Sequence, residues 1–273
     1  VSGHGVYVYA IVRAGRGGPG RRSAAEGGPG AGRRSGAAGR SGAAGRSGGR
    51  PLPVGVRMLR EGPLAAVVAD APERVRPRRR DLMTHQELLL ALAEEGAVLP
   101  MRFGMVARDE DVVRDQLATG REAHLAALER LDGRVEMNLK ALPASDALAA
   151  LVTEEPKVRR LREEARRRPG YEANLRLGEA VSEALARRAA EAADRAVREL
   201  AALAEAAVPG PDVAGCVRNV SFLVRREAAA GFLSAADRLA AAYRDRAELR
   251  AVGPLPCYSF AAHEPSSAAG AAV

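Results

Sequence analysis

Histidine, cysteine and clustered acids are the side chains whose types could do chemistry in this chain, and their spacing supports little of it. The four histidines stand at 4, 85, 124 and 263, and no two share the i, i+4 step of a helical metal site. Cys216 and Cys257 are too few for a disulfide framework and fit no zinc spacing, so both read as ordinary half-buried thiols. Cys257 is close in sequence to His263, but a thiolate–imidazole pair is a matter of spatial geometry. Gly15, Gly17 and Gly20 spell G-x-G-x-x-G after an apolar run. A dinucleotide site needs a helix to open there, and Pro19, Arg21, Arg22, Gly27, Gly28 and Pro29 prevent one. There is no phosphate-cradling G-x-x-x-x-G-K-[ST] and no G-x-S-x-G elbow. Asp109, Glu110 and Asp111 suit the N-terminus of a helix, where carboxylates meet the positive end of the dipole. Asn219-Val220-Ser221 is a glycosylation pattern by spelling only. The expectation is a protein without catalytic, cofactor-binding or metal residues, and not an enzyme.

The elements that position these residues can be read from periodicity. "VYVYAIV" (6–12) is β-branched, aromatic and apolar on both faces, as a central buried strand should be. "VGVRMLREGPLAAVVADAP" reads as two strands about the turn Glu61-Gly62-Pro63. "THQELLLALAEEG" predicts a helix opened by a Thr84/Glu87 capping box, with His85 in its first turn and a left-handed stop at Gly96. The extended "VLPMRFGMV" (98–106) leads to a helix capped by Asp109 and carrying Val112, Val113, Leu117, Leu125, Leu128 and Leu131; Asp132-Gly133 ends it. "VEMNLKAL" (135–142) alternates Val135, Met137, Leu139 and Ala141 against Glu136, Asn138 and Lys140, which predicts a half-buried strand. Two helical stretches follow, at about 145–168 with an interruption near Pro156, and at about 171–206, roughly 50 Å long at 1.5 Å per residue. The second carries Leu175, Val181, Leu185, Ala189, Ala192, Ala196, Leu200 and Leu203, a face that closes either a helical hairpin or a partner's helix. A strand at 217–226, a helix at 230–245 and a short strand at 247–252 complete the order.

Each half mixes antiparallel strands with helices on one face, the α+β class. The expected boundary lies near Gly133. Residues 1–133 form an N-terminal α+β domain, 134–262 a C-terminal α+β domain with a long helical hairpin, and 263–273 a flexible tail.

Charge is unevenly placed along the chain. The formal net charge of +8 is carried entirely by residues 13–50, with nine arginines against Glu26; the remainder holds 33 basic and 33 acidic residues. That segment repeats Arg, Ser, Gly and Ala with a period of six and has almost no apolar surface to offset ~1–2 kcal/mol of backbone entropy per residue. It is expected to be a disordered insert in a surface loop. The alternative is a nucleic-acid tether acting through the basic insert 13–50. No apolar run approaches the ~18 residues of a membrane span, and no leader pattern is present. The expectation is a soluble, cytoplasmic chain with no membrane partner.

Aromatics are scarce, yet Tyr258 and Phe260 stand together in "VGPLPCYSF" (252–260), where Pro254 and Pro256 hold the backbone extended. Burying each ring is worth ~1.5–3 kcal/mol, enough to pin a fraying end. They either close the second domain's core or face an apolar partner. The same choice applies to Met101 and Phe103 around Arg102.

Five segments, "VYVYAIV", "VLPMRFG" (98–104), "GRVEMNLKAL" (133–142), "GYEANLRLGEAV" (170–181) and "VGPLPCYSF", occur in the order seen in the gas vesicle GvpL/GvpF family, which the chain resembles over about residues 6–260. The Arg-Gly insert is an addition to that pattern. Leu255 and Cys257 stand where the family tends to show a large aromatic and a Pro. The resemblance implies two α+β domains with ferredoxin-like sheets. It also implies a non-enzymatic role in assembling gas vesicles, and binding to their small hydrophobic shell protein, GvpA, and to other vesicle accessory proteins. Met101, Arg102, Phe103, Tyr258 and Phe260 are the candidate contact or hallmark residues.

Overall fold

The computed structural model describes residues 5–15, 55–72, 78–145 and 147–261. The predicted tail and nearly all of the predicted insert lie outside them. The chain builds two antiparallel sheets. β1 (Val6–Arg13), β2 (Arg57–Glu61) and β3 (Leu64–Asp70) are followed by α1 (Arg79–Glu95), β4 (Val98–Pro100) and β5 (Val106–Ala107). The first sheet has the order β2-β3-β1-β4, with β5 pairing the start of β1. β1 is central, as its two-faced apolar sequence requires. A register shift between Val8 and Ala10 sends Val6, Val8 and Ile11 to one face and Ala10 and Val12 to the other.

Helices cover both faces of this sheet, not one. Leu89 of α1 packs with Ala10, Val67 and Val98. α2 (Glu110–Thr119) and α3 (Arg121–Leu131) pack Val113, Leu117, Leu128 and Leu131 against Val8, Ile11, Ala66 and Leu99 on the opposite face. The predicted capping box is absent. α1 begins five residues before Thr84, at Arg79, with no side-chain cap on Arg78, and Gly96 is extended at φ 165. Arginine is a good helix former and Asp81 favours the dipole in the first turn, so the helix starts earlier than its apolar stripe. Asp109 does cap α2, its carboxylate accepting from Val112 N at 2.9 Å. The single helix expected over 109–131 is broken into two at Gly120.

The second sheet comprises β6 (Arg134–Pro143), β7 (Ala206–Pro209), β8 (Arg218–Arg225) and β9 (Ala247–Leu255) in the order β7-β8-β6-β9. Between β6 and β7 run α4 (Ala147–Glu154), α5 (Pro156–Arg167) and α6 (Tyr171–Ala201); α7 (Ala229–Tyr243) precedes β9, and α8 (Tyr258–Ala261) ends the fold. Ala189, Ala192, Ala193, Ala196 and Leu200 of α6 and Phe232 of α7 cover Met137, Leu139, Phe222 and Val224. Small residues let the long helix lie close to the sheet. Its first half packs Ala180 and Ala184 on Leu151 and Val158 of α4 and α5. The alanine face is therefore covered within the chain, while Leu175 and Leu203 at its ends stay exposed. α6 stops at Ala201 rather than 206, and β7, an edge strand that tolerates Pro209, follows unannounced. β9 likewise runs on through Pro254 as an edge strand.

α5 exposes Arg159, Arg160, Arg166 and Arg167 beside Glu163. The basic signal is thus not confined to the insert, although the charges of the body as a whole balance.

Gly253 is required by close approach. A Cβ there meets Met137 Sδ at 2.5 Å and the Glu136 carbonyl at 3.2 Å, and Met137 is fully buried. Gly253→Ala is expected to destabilise the fold by about 1–3 kcal/mol through overpacking, measured by urea denaturation.

Candidate partner-binding site

The face of β1 that carries Val8 and Ile11 is only partly roofed by α2 and α3. What remains is an open groove of about 580 Å³. Val8, Ile11 and Ala66 form its floor, Val112, Val113 and Leu117 of α2 one wall, and Met101, Met105 and Val106 the other. Asp115, Gln116, Thr119 and His124 stand at the rim. Met105 is 47% exposed and Val106 42%, and the two stand side by side along the groove, so their exposed apolar surface is contiguous with it.

Local sequence explains both walls. The Asp109 cap starts α2, and its carboxyl is held below the usual carboxylate range by the Val112 N–H and then by Arg108. Arg57 ties α2 to the sheet, reaching Asp70 at 2.8 Å and Glu110 at 2.9 Å. The opposite wall is the link from β4 to β5. Gly104 takes φ 88, a left-handed turn that favours glycine, and reverses the chain so that Met105 and Val106 return along β1. Met101 N donates to Tyr9 O at 2.8 Å, and Val8 N to Met105 O at 2.9 Å. Beneath the link lies a ring cluster. Phe103 stands 6.0 Å from Tyr7 and 5.6 Å from His85, and His85 is 5.3 Å from Tyr9. His85, expected in the first turn of a helix, sits in the second and is 2% exposed. It is a structural residue bonded to Tyr7 Oη and Met101 O.

The candidate residues divide between two places. Met101 lines the groove; Arg102 is exposed beside it, and Phe103 belongs to the ring cluster below. Met105 and Val106 were missed as contact residues, although apolar side chains straight after a Gly turn were a signal in the sequence.

Tyr258 and Phe260 lie on a seam between the two sheets. Phe260, 8% exposed, and Cys257 pack with Val6, Leu99, Leu128 and Leu131 of the first half and with Leu223 of β8. The ring therefore does not close the second domain's own core, as one reading of the sequence had it. The cause is the polar face of β6, which is buried instead of solvated. Glu136 is 5% exposed and accepts from Ser259 N at 2.8 Å and from Ser259 Oγ at 2.7 Å. Asn138 Nδ2 donates to Ser221 Oγ at 3.2 Å, and the two serine hydroxyls are 3.1 Å apart. Arg130 Nη2 donates to Phe260 O at 2.9 Å, and Arg226 Nη2 to Ala93 O at 2.8 Å. Tyr258 remains partly exposed, and burial pushes its hydroxyl up to about 12.

Burial also pushes the Cys257 thiol up to about 12, so it is not a thiolate at neutral pH. His263 lies outside the described residues, as does the glycine pattern after Gly15. Among the described residues no three His, Cys, Asp or Glu side chains gather as a metal site, and no helix is long and apolar enough to cross a membrane.

Comparison with known proteins bears on this arrangement. Gas vesicle protein F of Streptomyces sp. (strain CB03234) is 44% identical over 213 residues, covering 76% of this chain and 88% of that protein. Gas vesicle protein L of the same strain is 36% identical over 113 residues, 37% of this chain and 42% of its own length. The crystal structure of GvpF from Microcystis aeruginosa superposes with a TM-score of 0.64 at 18% identity, covering 95% of this chain and 99% of that one. That of GvpF from Anabaena sp. PCC7120 gives 0.65 at 18%, covering 96% and 100%. At this identity the two crystal structures speak for the fold alone: two antiparallel sheets with helices, of ferredoxin-like character. The profile of the family described as gas vesicle synthesis protein GvpL/GvpF matches residues 5–262, and the chain belongs to that family.

Proposed function

We propose that this protein is a non-catalytic gas vesicle assembly factor that holds the hydrophobic shell protein GvpA by an apolar segment laid in the groove between β1, α2 and the 101–106 link. The observation that carries this reading is the groove itself, an open apolar site with Met105 and Val106 facing outward. A contiguous apolar surface left in contact with water, unlike a lone exposed side chain, is the kind a partner covers. Family membership supplies the role in gas vesicle assembly. The choice of GvpA follows from chemistry, because a small, greasy subunit must be shielded from water until it joins a growing shell. Other gas vesicle accessory proteins are further partners in this reading, and the protein accompanies nascent vesicles in the cytoplasm. Two α+β domains divided at Gly133 serve as the scaffold, with the C-terminal motif joining them.

Purified full-length protein is expected to retain GvpA in a pull-down, and a vesicle cluster lacking this gene to yield few or no vesicles. Failure to retain GvpA under conditions that keep it dispersed overturns the reading. Deleting residues 16–50 removes none of the residues that line the groove. Capture is expected to change by less than about twofold and to persist at high salt, where a nucleic-acid tether fails. Loss of capture in the deletion variant overturns the groove as the sole site.

A further inference from the structure

Between Pro100, where β4 ends, and Val106, where β5 begins, the groove's outer wall leaves the sheet. Two backbone groups of this link are bonded to side chains and not to strands. Met101 O lies 3.0 Å from His85 Nε2, and Gly104 N donates to Tyr7 Oη at 3.0 Å. The third distance joins them, 3.1 Å from Tyr7 Oη to His85 Nδ1. Donor logic fixes the ring. A carbonyl only accepts, so Nε2 carries the proton and Nδ1 of the neutral ring accepts from the Tyr7 hydroxyl. One directed chain results, from Gly104 N–H to Tyr7 O–H to the ring and on to Met101 O.

We propose that His85 is the positioning residue of the groove: as a neutral ring it clamps the 101–105 wall, and its protonation loosens that wall at Gly104, which is held through Tyr7, and weakens the apolar site in acid. This rests on the groove being the partner-binding site. A proton added to Nδ1 faces the Tyr7 hydroxyl donor to donor. Tyr7 must then turn its hydrogen away from the imidazole, at the expense of the Gly104 N–H that its oxygen accepts. The new charge is buried without a carboxylate bonded to it, a costly state.

The ring's two bonded partners are a phenol and a carbonyl, and the ionisable groups around it are these. Tyr9 on β1 and Tyr258 on α8, which acts through Tyr7, remain protonated phenols whose pKa burial raises, as does that of Tyr7 itself. Asp81, one turn earlier on α1, is exposed to water and not bonded to the ring. Arg102 on the link is exposed and of the same sign as the imidazolium. Burial lowers the pKa of His85 below its ordinary 6.5. The clamp is therefore at full strength above the unfolded value and is lost as pH falls through the folded one.

The test follows the full-length protein from pH 8 to 4.5 by NMR, reading the His85 ring shift and the Gly104 amide exchange corrected for its intrinsic pH dependence. A neutral apolar dye, Nile red, probes the groove in parallel. Gly104 protection and dye affinity are each expected to fall roughly tenfold, about one net hydrogen bond's worth, at the pH where the His85 ring titrates. Tyr7→Phe removes the bond to Nδ1 and is expected to move that titration to higher pH. His124→Asn alters the groove rim and is expected to rescale dye affinity at every pH while keeping the step. Gly104 protection that stays constant through the His85 titration, or a step abolished by His124→Asn, overturns the proposal. Absence of dye binding at any pH with the Gly104 step intact instead overturns the groove reading and the acid regulation built on it.

Discussion

Phe260→Ala is expected to lower the unfolding free energy by about 3–5 kcal/mol, the usual cost of deleting a buried Phe ring, read as a lower urea midpoint at unchanged slope. The ring is 8% exposed and shares its cluster with Val6, Leu99 and Leu128 of the first sheet and Leu223 of the second. Its removal opens a cavity where side chains of both sheets meet in an apolar cluster. Neighbouring bonds amplify the effect. Arg130 donates to the Phe260 carbonyl, and Ser259 holds buried Glu136 by two bonds, so a loosened α8 leaves that carboxylate short of partners. Val8 and Ile11, the groove floor, belong to the same cluster. Capture of GvpA should weaken along with stability. Tyr258→Ala, at a ring still partly in water, is expected to cost less than half as much. A Phe260→Ala effect under about 1 kcal/mol contradicts the seam.

Met105→Asp is expected to reduce capture of GvpA by roughly a hundredfold while leaving the melting temperature within about 2 °C. Burying a Met side chain against a partner is worth ~1.5–3 kcal/mol, and a carboxylate facing an apolar segment adds a desolvation cost. The fold loses little because the side chain is 47% exposed and its backbone carbonyl still accepts from Val8 N. Surface changes of this kind move stability by only about 0.5 kcal/mol. Binding loss with intact folding separates Met105→Asp from Phe260→Ala, where both fall together. A microscale binding titration against dispersed GvpA reads the difference.

The legible parts of this architecture were those where one local signal decides the outcome. The two-faced apolar run of β1 could only be a central strand, the Asp109 cap set α2, and Pro156 split α4 from α5. Five ordered segments carried the family. What stayed hidden depends on distant neighbours. The alternation of β6 was visible, but not that Glu136 and Asn138 face Ser259 and Ser221 instead of water. Thr84 and Glu87 spell a capping box that α1 does not use, because Arg79, Arg80 and Asp81 extend the helix first. Phe260 was recognisable as an anchor, though not the half of the molecule in which it is anchored. Met101 was picked from the groove, while Met105 and Val106 were read only as extended chain.

Photocrosslinking from position 105 tests the central claim most directly. A photoreactive amino acid replaces Met105 in the full-length protein, and a second variant carries it at Tyr171, an exposed ring that opens α6 and does not line the groove. Mixed with GvpA, the first is predicted to yield an adduct to an apolar segment of the shell protein and the second none. Adducts from position 171 with none from 105 would contradict the account.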